Sequence, residues 1–358
     1  MLSGKSQKLL SKVLSKKSEI THILISFYNI IILHLSYYCN SEGVNMLAIG
    51  LMKHGGPEVL ELIEVPEVKA EADEILVQVF CAAINPTDIL ARNGGIAERQ
   101  KPYNPPYVPG MDISGKVVEI GENVKTPLKV GDSVMAMVIP NGQHGAYREQ
   151  IALKSGAVVP IPQGVSFEEA CTLPMNGLTA KLSLELLNLN SGDKLAVTGS
   201  AGAYGGYMIQ IAKTLGLYVI ADTSEKDQNL IKSLGADLLL PRGEEFIKHI
   251  LERFPEGVDG LADGALLDEK AVAAVKHGGS FTAVRGYQGT GERDINFTQT
   301  WVRTQDCMYE KLDDLRKLVN ANKVSLRLAD TFSPSQVSEA HKRLQGGGVR
   351  GRLVIKFH

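Results

Sequence analysis

The chain has 358 residues, of which 44% are hydrophobic and 22% charged, with 36 glycines and a net charge of −2. That length suits two domains, and that composition excludes disordered, collagenous and coiled-coil chains. A near-neutral balance without a long basic block in the body of the chain argues against nucleic acid as a partner.

Residues 1–45 stand apart. They hold Lys5, Lys8, Lys12, Lys16 and Lys17 against Glu19 and Glu42, a local charge of +3. The run from Ile20 to Tyr38 is apolar and β-branched but is broken by Thr21, His22, Ser26, Asn29 and His34. Its uninterrupted stretches fall short of the roughly 18 residues of a spanning helix, so no membrane partner is expected. A secretory signal would need a small-x-small cleavage site, and a mitochondrial presequence would favour arginine. The segment reads as an extension outside the fold, with targeting as the other reading.

From Met46 the pattern is β-rich. Strands are predicted in Ile75–Asn85, Ile113–Gly121 and Asp132–Ile139, separated by Gly- and Pro-rich turns, as in a compact barrel-like domain. After Phe167 the periodicity changes. Strand Leu195–Thr198, helix Tyr207–Leu215, strand Leu217–Ala221, helix Glu225–Leu234 and strand Asp237–Leu240 follow one another. Helix Glu244–Phe254, strand Val258–Ala262, helix Glu269–Lys276 and strand Ser280–Val284 continue the alternation. That order predicts an α/β chain with a parallel sheet. Cys39, Cys81, Cys171 and Cys307 are widely spaced, with no Cys-x-x-Cys pair, which points to a reducing, cytoplasmic home.

The most specific local feature is GSAGAYG, with Gly199, Gly202 and Gly205 between a predicted strand and helix. Glycines there let backbone approach a pyrophosphate, whose charge meets helix N-terminal amides. Asp222 ends the next strand, where a carboxylate would accept hydrogen bonds from the adenosine ribose. Its charge opposes a 2′-phosphate, whereas Ser224, Lys226 and Arg242 would attract one, so both nicotinamide dinucleotides stay open. Lys226 and Arg242 also read as a plain solvated face.

Six segments in order, AINPTDILARNG, PYVPGMDISGKVVEIGENV, LKVGDSVMA, TLPMNGLTA, VTGSAGAYGGYMIQIAKTLG and EAHKRLQGGGVRGRLVI, resemble the medium-chain dehydrogenase/reductase superfamily. The similarity is to its zinc-independent quinone oxidoreductase branch, which includes zeta-crystallin. It implies a GroES-like, β-rich substrate domain over 46–177 and 311–358. A doubly wound Rossmann cofactor domain then covers 178–310, and the active site lies in the cleft between them. Zinc-dependent relatives place ligands where this chain has Asn85 and Met111-Asp112, so no zinc is expected. Isolated His144 and Asp132 add no metal site.

Without a Lewis acid, alcohol oxidation is unfavourable, whereas a quinone or α,β-unsaturated carbonyl accepts hydride directly. The resemblance therefore implies an enzyme, a quinone or enone reductase using NADPH, with NADH possible, and a homodimer. Enoyl-thioester reduction and a non-enzymatic, crystallin-like nucleotide-binding role are the alternatives. By the same resemblance Asn85 lies beside the nicotinamide ribose or the acceptor oxygen, unless it only forms an Asx turn. Thr179 contacts the cofactor near the ring, and Val284 and Gly286 flank the nicotinamide. Gly199, Ala201, Gly202 and Gly205 form the pyrophosphate turn; Tyr204 there either reshapes the turn or closes over the cofactor. Tyr103 and Tyr107, in the pocket-lining loop, are either donors to the acceptor or residues that pack among prolines, and Leu90 stands where relatives often carry a tyrosine, a departure from the family pattern for a catalytic tyrosine. Asp88 and Arg92 read as a structural pair or cap, Asn176 as a cleft residue or a cap, and Arg350 as a phosphate, acceptor or surface contact.

Overall fold

The computed structural model describes residues 45–304 and 308–358. The expectations for the N-terminal extension and for Cys39 and Cys307 fall outside the described residues. Strand β1 (Asn45–Gly50) pairs with β2 (Glu61–Pro66). The long β3 (Glu74–Ala83) then leads into α1 (Pro86–Asn93) and the single turn α2 (Ala97–Gln100). Pro86 opens α1 with a preset φ, and Gly94 closes it at φ 86°, a conformation glycine adopts freely.

Strands β4 (Asp112–Ile120), β5 (Ser133–Met137), β6 (Gln150–Lys154) and β7 (Val158–Pro160) complete the first run. Two helices, α3 (Phe167–Ala170) and α4 (Pro174–Leu187), follow. The chain then alternates β8 (Lys194–Thr198), α5 (Ala203–Thr214), β9 (Tyr218–Thr223), α6 (Gln228–Ser233) and β10 (Leu238–Pro241). Next come α7 (Glu244–Arg253), β11 (Val258–Asp263), α8 (Glu269–Val272), β12 (Val275–Ala283) and β13 (Asn296–Gln299). Helix α9 (Tyr309–Asn320), β14 (Leu328–Phe332), α10 (Val337–Gln345) and β15 (Arg352–Lys356) end the chain.

Strands β8 to β13 form a six-stranded sheet in the order β10-β9-β8-β11-β12-β13. Every pairing in it is parallel, as the alternation predicts. Leu195, Ala196 and Val197 are all fully buried, as a strand covered on both faces requires. The order reverses at β8, whose two neighbours are β9 and β11, and ligands of open α/β sheets bind at such a point, beyond the carboxyl ends of the strands. A seven-stranded, mainly antiparallel sheet holds β3 to β7 together with β14 and β15.

The expected helix over Glu269–Lys276 is corrected. It is one turn, because Val275 already pairs with Val258 and belongs to β12. Strand propensity at Val275 and the buried edge of β11 outweigh the helical pattern. Strand β12 therefore begins five residues before the expected Ser280. Among the described residues no helix is long and apolar enough to cross a membrane.

Candidate active site

The glycine turn follows β8. Gly199 has φ 69°, and a Cβ on Gly205 would sit 2.4 Å from the Gly199 carbonyl oxygen, so helix and turn close together only with glycine there. Gly202 starts α5 with no side-chain cap and no acidic residue in the first turn. The helix thus presents amides and the positive end of its dipole to an anion. These features fit a dinucleotide diphosphate.

Two charged groups hold the turn. Asp222, at the end of β9, accepts hydrogen bonds from the amides of Gly199 (3.0 Å) and Ser200 (2.8 Å). The residue is 7% exposed and its carboxylate is bound to the loop, with one amide on each oxygen and a further lone pair on each. Arg327, just before β14, donates to the carbonyls of Ala201 and Gly202 from the other side. Burial pushes its pKa down. No local pattern marks Arg327, which lies 125 residues from Gly202 in sequence.

The next strand ends form a second, more polar region. Ser224 donates to Asp227 at 2.6 Å, and Arg350 grips Asp227 with two hydrogen bonds of 2.6 and 2.8 Å. The Arg350 guanidinium lowers the Asp227 carboxyl to about 2. Arg350 is thus tied to Asp227 while its side chain stays partly open to solvent. Lys226 is exposed, as is Arg242, whose amide donates to the Thr223 carbonyl. Register brings them near, since Pro241 pairs with Thr223.

Where the strands β11 to β13 end, a cavity of about 360 Å³ opens. Thr179, Asn176, Tyr204 and Val284 line it, with Leu90, Met111 and Leu266 supplying apolar wall. Thr179 donates to the Met175 carbonyl at 2.6 Å. Tyr204 donates to Ser183 at 2.9 Å, and Ser183, Thr300 and Thr282 continue a buried hydroxyl chain. Its ring lies against Gly264, where a Cβ would be 2.8 Å away. The tyrosine therefore packs into the cavity wall, beside the turn. Gly286 has φ 91° beside the Trp301 indole, next to Val284 rather than on the lining itself.

Two expected catalytic residues are not brought to this cavity. Asn85 is fully buried. Its amide nitrogen donates to Asp112 (2.9 Å), while its oxygen accepts from Arg352 (2.8 Å) and Asn176 (3.3 Å). With both ends committed, it positions Asn176 instead of touching an acceptor. Tyr103 is 41% exposed and lines a neighbouring recess of about 230 Å³ with Tyr107. Asp88 caps α1 by accepting from the Asn85 amide (2.8 Å), and also accepts from Tyr147 (3.0 Å). Burial raises the Asp88 pKa to about 6. Arg92 meets Gln345 instead, so of the two expected roles the cap is formed and the pair is not.

Asp112 pairs with Arg352 at 2.8 Å and accepts from the Met175 amide at 2.6 Å. Among the described residues no three His, Cys, Asp or Glu side chains converge as a metal site.

Residues 71–180 match the alcohol dehydrogenase GroES-like domain. The chain is 33% identical over 322 residues to a 2-methylene-furan-3-one reductase of Solanum lycopersicum, covering 87% of this chain and 79% of that one. It is 34% identical over 315 residues to a chloroplastic NADPH-dependent alkenal/one oxidoreductase of Arabidopsis thaliana, covering 84% and 77%. The structure of a quinone oxidoreductase from Coxiella burnetii superposes with a TM-score of 0.78 at 30% identity, over 88% of this chain and 100% of that one.

Proposed function

Since the chain belongs to the medium-chain dehydrogenase/reductase superfamily, in its branch of quinone oxidoreductases and enone reductases, we propose that it reduces a quinone or an α,β-unsaturated carbonyl with NADPH. The observation that carries this reading is the acid-free N-terminus of α5 behind a glycine turn that leaves no room for a Cβ at Gly205, with Tyr204 of its first turn on the lining of a mainly apolar cavity. When bound, NADPH supplies a hydride and leaves as NADP+. The residues do the positioning: Thr179 and Val284 wall the inner cavity, while Thr87 and Asn176 are donors facing an acceptor carbonyl. Water at the open side provides the proton that completes a phenol or a saturated ketone.

The reaction needs no zinc on this reading. Asn85 and Met111 replace two ligands of the metal-dependent relatives, and Asp112 is spent on Arg352. NADPH is favoured over NADH because the Asp222 charge is sheathed by two amides while Lys226 and Arg242 stand exposed at adjoining strand ends. Residues 46–177 and 311–358 would form the acceptor-side domain and 178–310 the cofactor-side domain. The free edge of β13 is our candidate for pairing two copies, which light scattering on the purified protein tests.

The test is a screen of p-quinones, enones and enoyl thioesters with each nicotinamide, following loss of the reduced cofactor by absorbance. Quinones or enones turn over with NADPH, and Lys226→Ala raises the NADPH KM about tenfold while leaving that for NADH unchanged. Binding of NADPH with no turnover of any acceptor would leave a nucleotide-binding protein in its place.

A further inference from the structure

The apolar cavity has a charged side that the chemistry of hydride transfer does not require. Arg99, Arg285 and Arg303 line it, and among the described lining residues there is no carboxylate. Arg99 and Arg303 share one partner: both guanidinium carbons lie over the Trp301 ring, 5.6 and 5.3 Å from its centroid. A cation over an indole gains from the ring quadrupole, but two cations over one ring also repel each other. Arg303 is only half-exposed, and among the described residues its buried Nε has no hydrogen-bond partner. Burial and the Arg99 charge, in that order, both disfavour its charged state. A buried donor without a partner costs free energy that a ligand can return.

Arg99 and Arg303 also line the neighbouring recess with Tyr103 and Tyr107, so the two guanidiniums stand where cavity and recess join. The cofactor diphosphate has its own place at the start of α5, beside Arg327. The cations over Trp301 are therefore left for the acceptor.

Resting on the reductase reading above, we infer that the acceptor carries an anionic group, a carboxylate or a phosphate, held by Arg99 and Arg303 while its electrophilic end reaches Thr179. The chemistry at that end is unchanged: hydride adds to the β-carbon, a proton from water adds to the α-carbon, and NADPH becomes NADP+. The anion fixes which acceptors are held long enough to react. A planar guanidinium suits either anion through paired N–H donors.

Three acceptors test this: a short alkyl enone ending in a carboxylate, its methyl ester, and the same chain ending in a phosphate monoester. The carboxylate or the phosphate has a KM about tenfold below the ester, the lower of the two naming the group, and added salt removes the advantage. Arg303→Gln and, separately, the exposed Arg99→Gln abolish the preference while the ester KM stays within about twofold. Trp301 is the only tryptophan in the chain, so its fluorescence in the NADP+-loaded enzyme reads acceptor binding without turnover. Quenching by the anionic acceptors at concentrations where the ester has no effect supports the site. Equal KM and equal quenching for anions and ester overturn it. Anion-selective quenching with no turnover of any acceptor keeps the anion site and refutes the reductase reading; neither quenching nor turnover refutes both.

Discussion

Arg352, inside the protein, and the pair Arg99 and Arg303, on a cavity lining, have very different partners. Arg352 is 4% exposed, and one of its nitrogens donates to both Asn85 and Asp112 at 2.8 Å. Asp112 and Asn85 are fully buried beside it. Every charge in that knot has its opposite within reach, and the knot ties β15, β4 and the start of α1 together. Arg99 and Arg303, by contrast, meet among the described residues an aromatic ring and each other's charge. A cation neutralised in the interior serves the architecture, because leaving its partner alone there is costly. A cation left unmatched at an opening contributes little to folding and is free to serve a ligand.

The contrast is most easily broken at the knot. Arg352→Met leaves Asp112 buried without its counter-ion and is expected to cost about 3–5 kcal/mol, read by urea denaturation. A loss below about 1 kcal/mol would mean that the surrounding donors suffice without the guanidinium.

Asp227 lies between the extremes, paired with an Arg350 that is partly open to solvent. Its carboxyl falls from an ordinary 3.8 to about 2 in the folded protein. The stabilisation is then fully present above pH 3.8 and lost as pH falls through about 2. Asp227→Asn should lower stability by about 1 kcal/mol at neutral pH after allowance for solvent screening. The gap in Tm to the unaltered protein should close between pH 4 and about 2. A gap that persists unchanged at the acid end would assign the stabilisation to shape instead of charge.

The smallest effect is at the other pole. Arg99→Gln should change stability by no more than about 0.5 kcal/mol, measured by the same denaturation, even as it alters acceptor choice. A larger loss would make Arg99 a structural residue and erase the contrast.

The two halves of the chain differed in how readily their sequence could be read. In β8 to β11 and the helices between them, apolar runs and glycine punctuation are local signals, and the strands fall within two residues of expectation. The short β2 and β14 have their apolar residues interrupted by polar ones and are not expected from the sequence. The site follows the same division. The glycine turn is written in seven adjacent residues, and its backbone has the shape those residues imply. The position of Asp222 at a strand end follows from spacing, but its hydrogen bonds to the Gly199 and Ser200 amides depend on how the loop folds back. Arg352 reaches Asn85 across 267 residues, and Arg327 reaches Ala201 across 126. Contacts of that length leave no periodicity, so the same fold that supplies them must be known before they can be seen.

Strand β15 follows every other described strand in sequence, yet it is inserted between β14 and β3, with Val354, Ile355 and Lys356 paired to Ala83, Ala82 and Cys81. Until those residues emerge, that stretch of β3 carries unpaired backbone donors and acceptors in a growing polypeptide, the arrangement most exposed to intermolecular pairing. Vectorial growth cannot close the first sheet in passing. Its completion waits for residues 352–356, so β3 stays partly unpaired while the whole intervening parallel sheet is made.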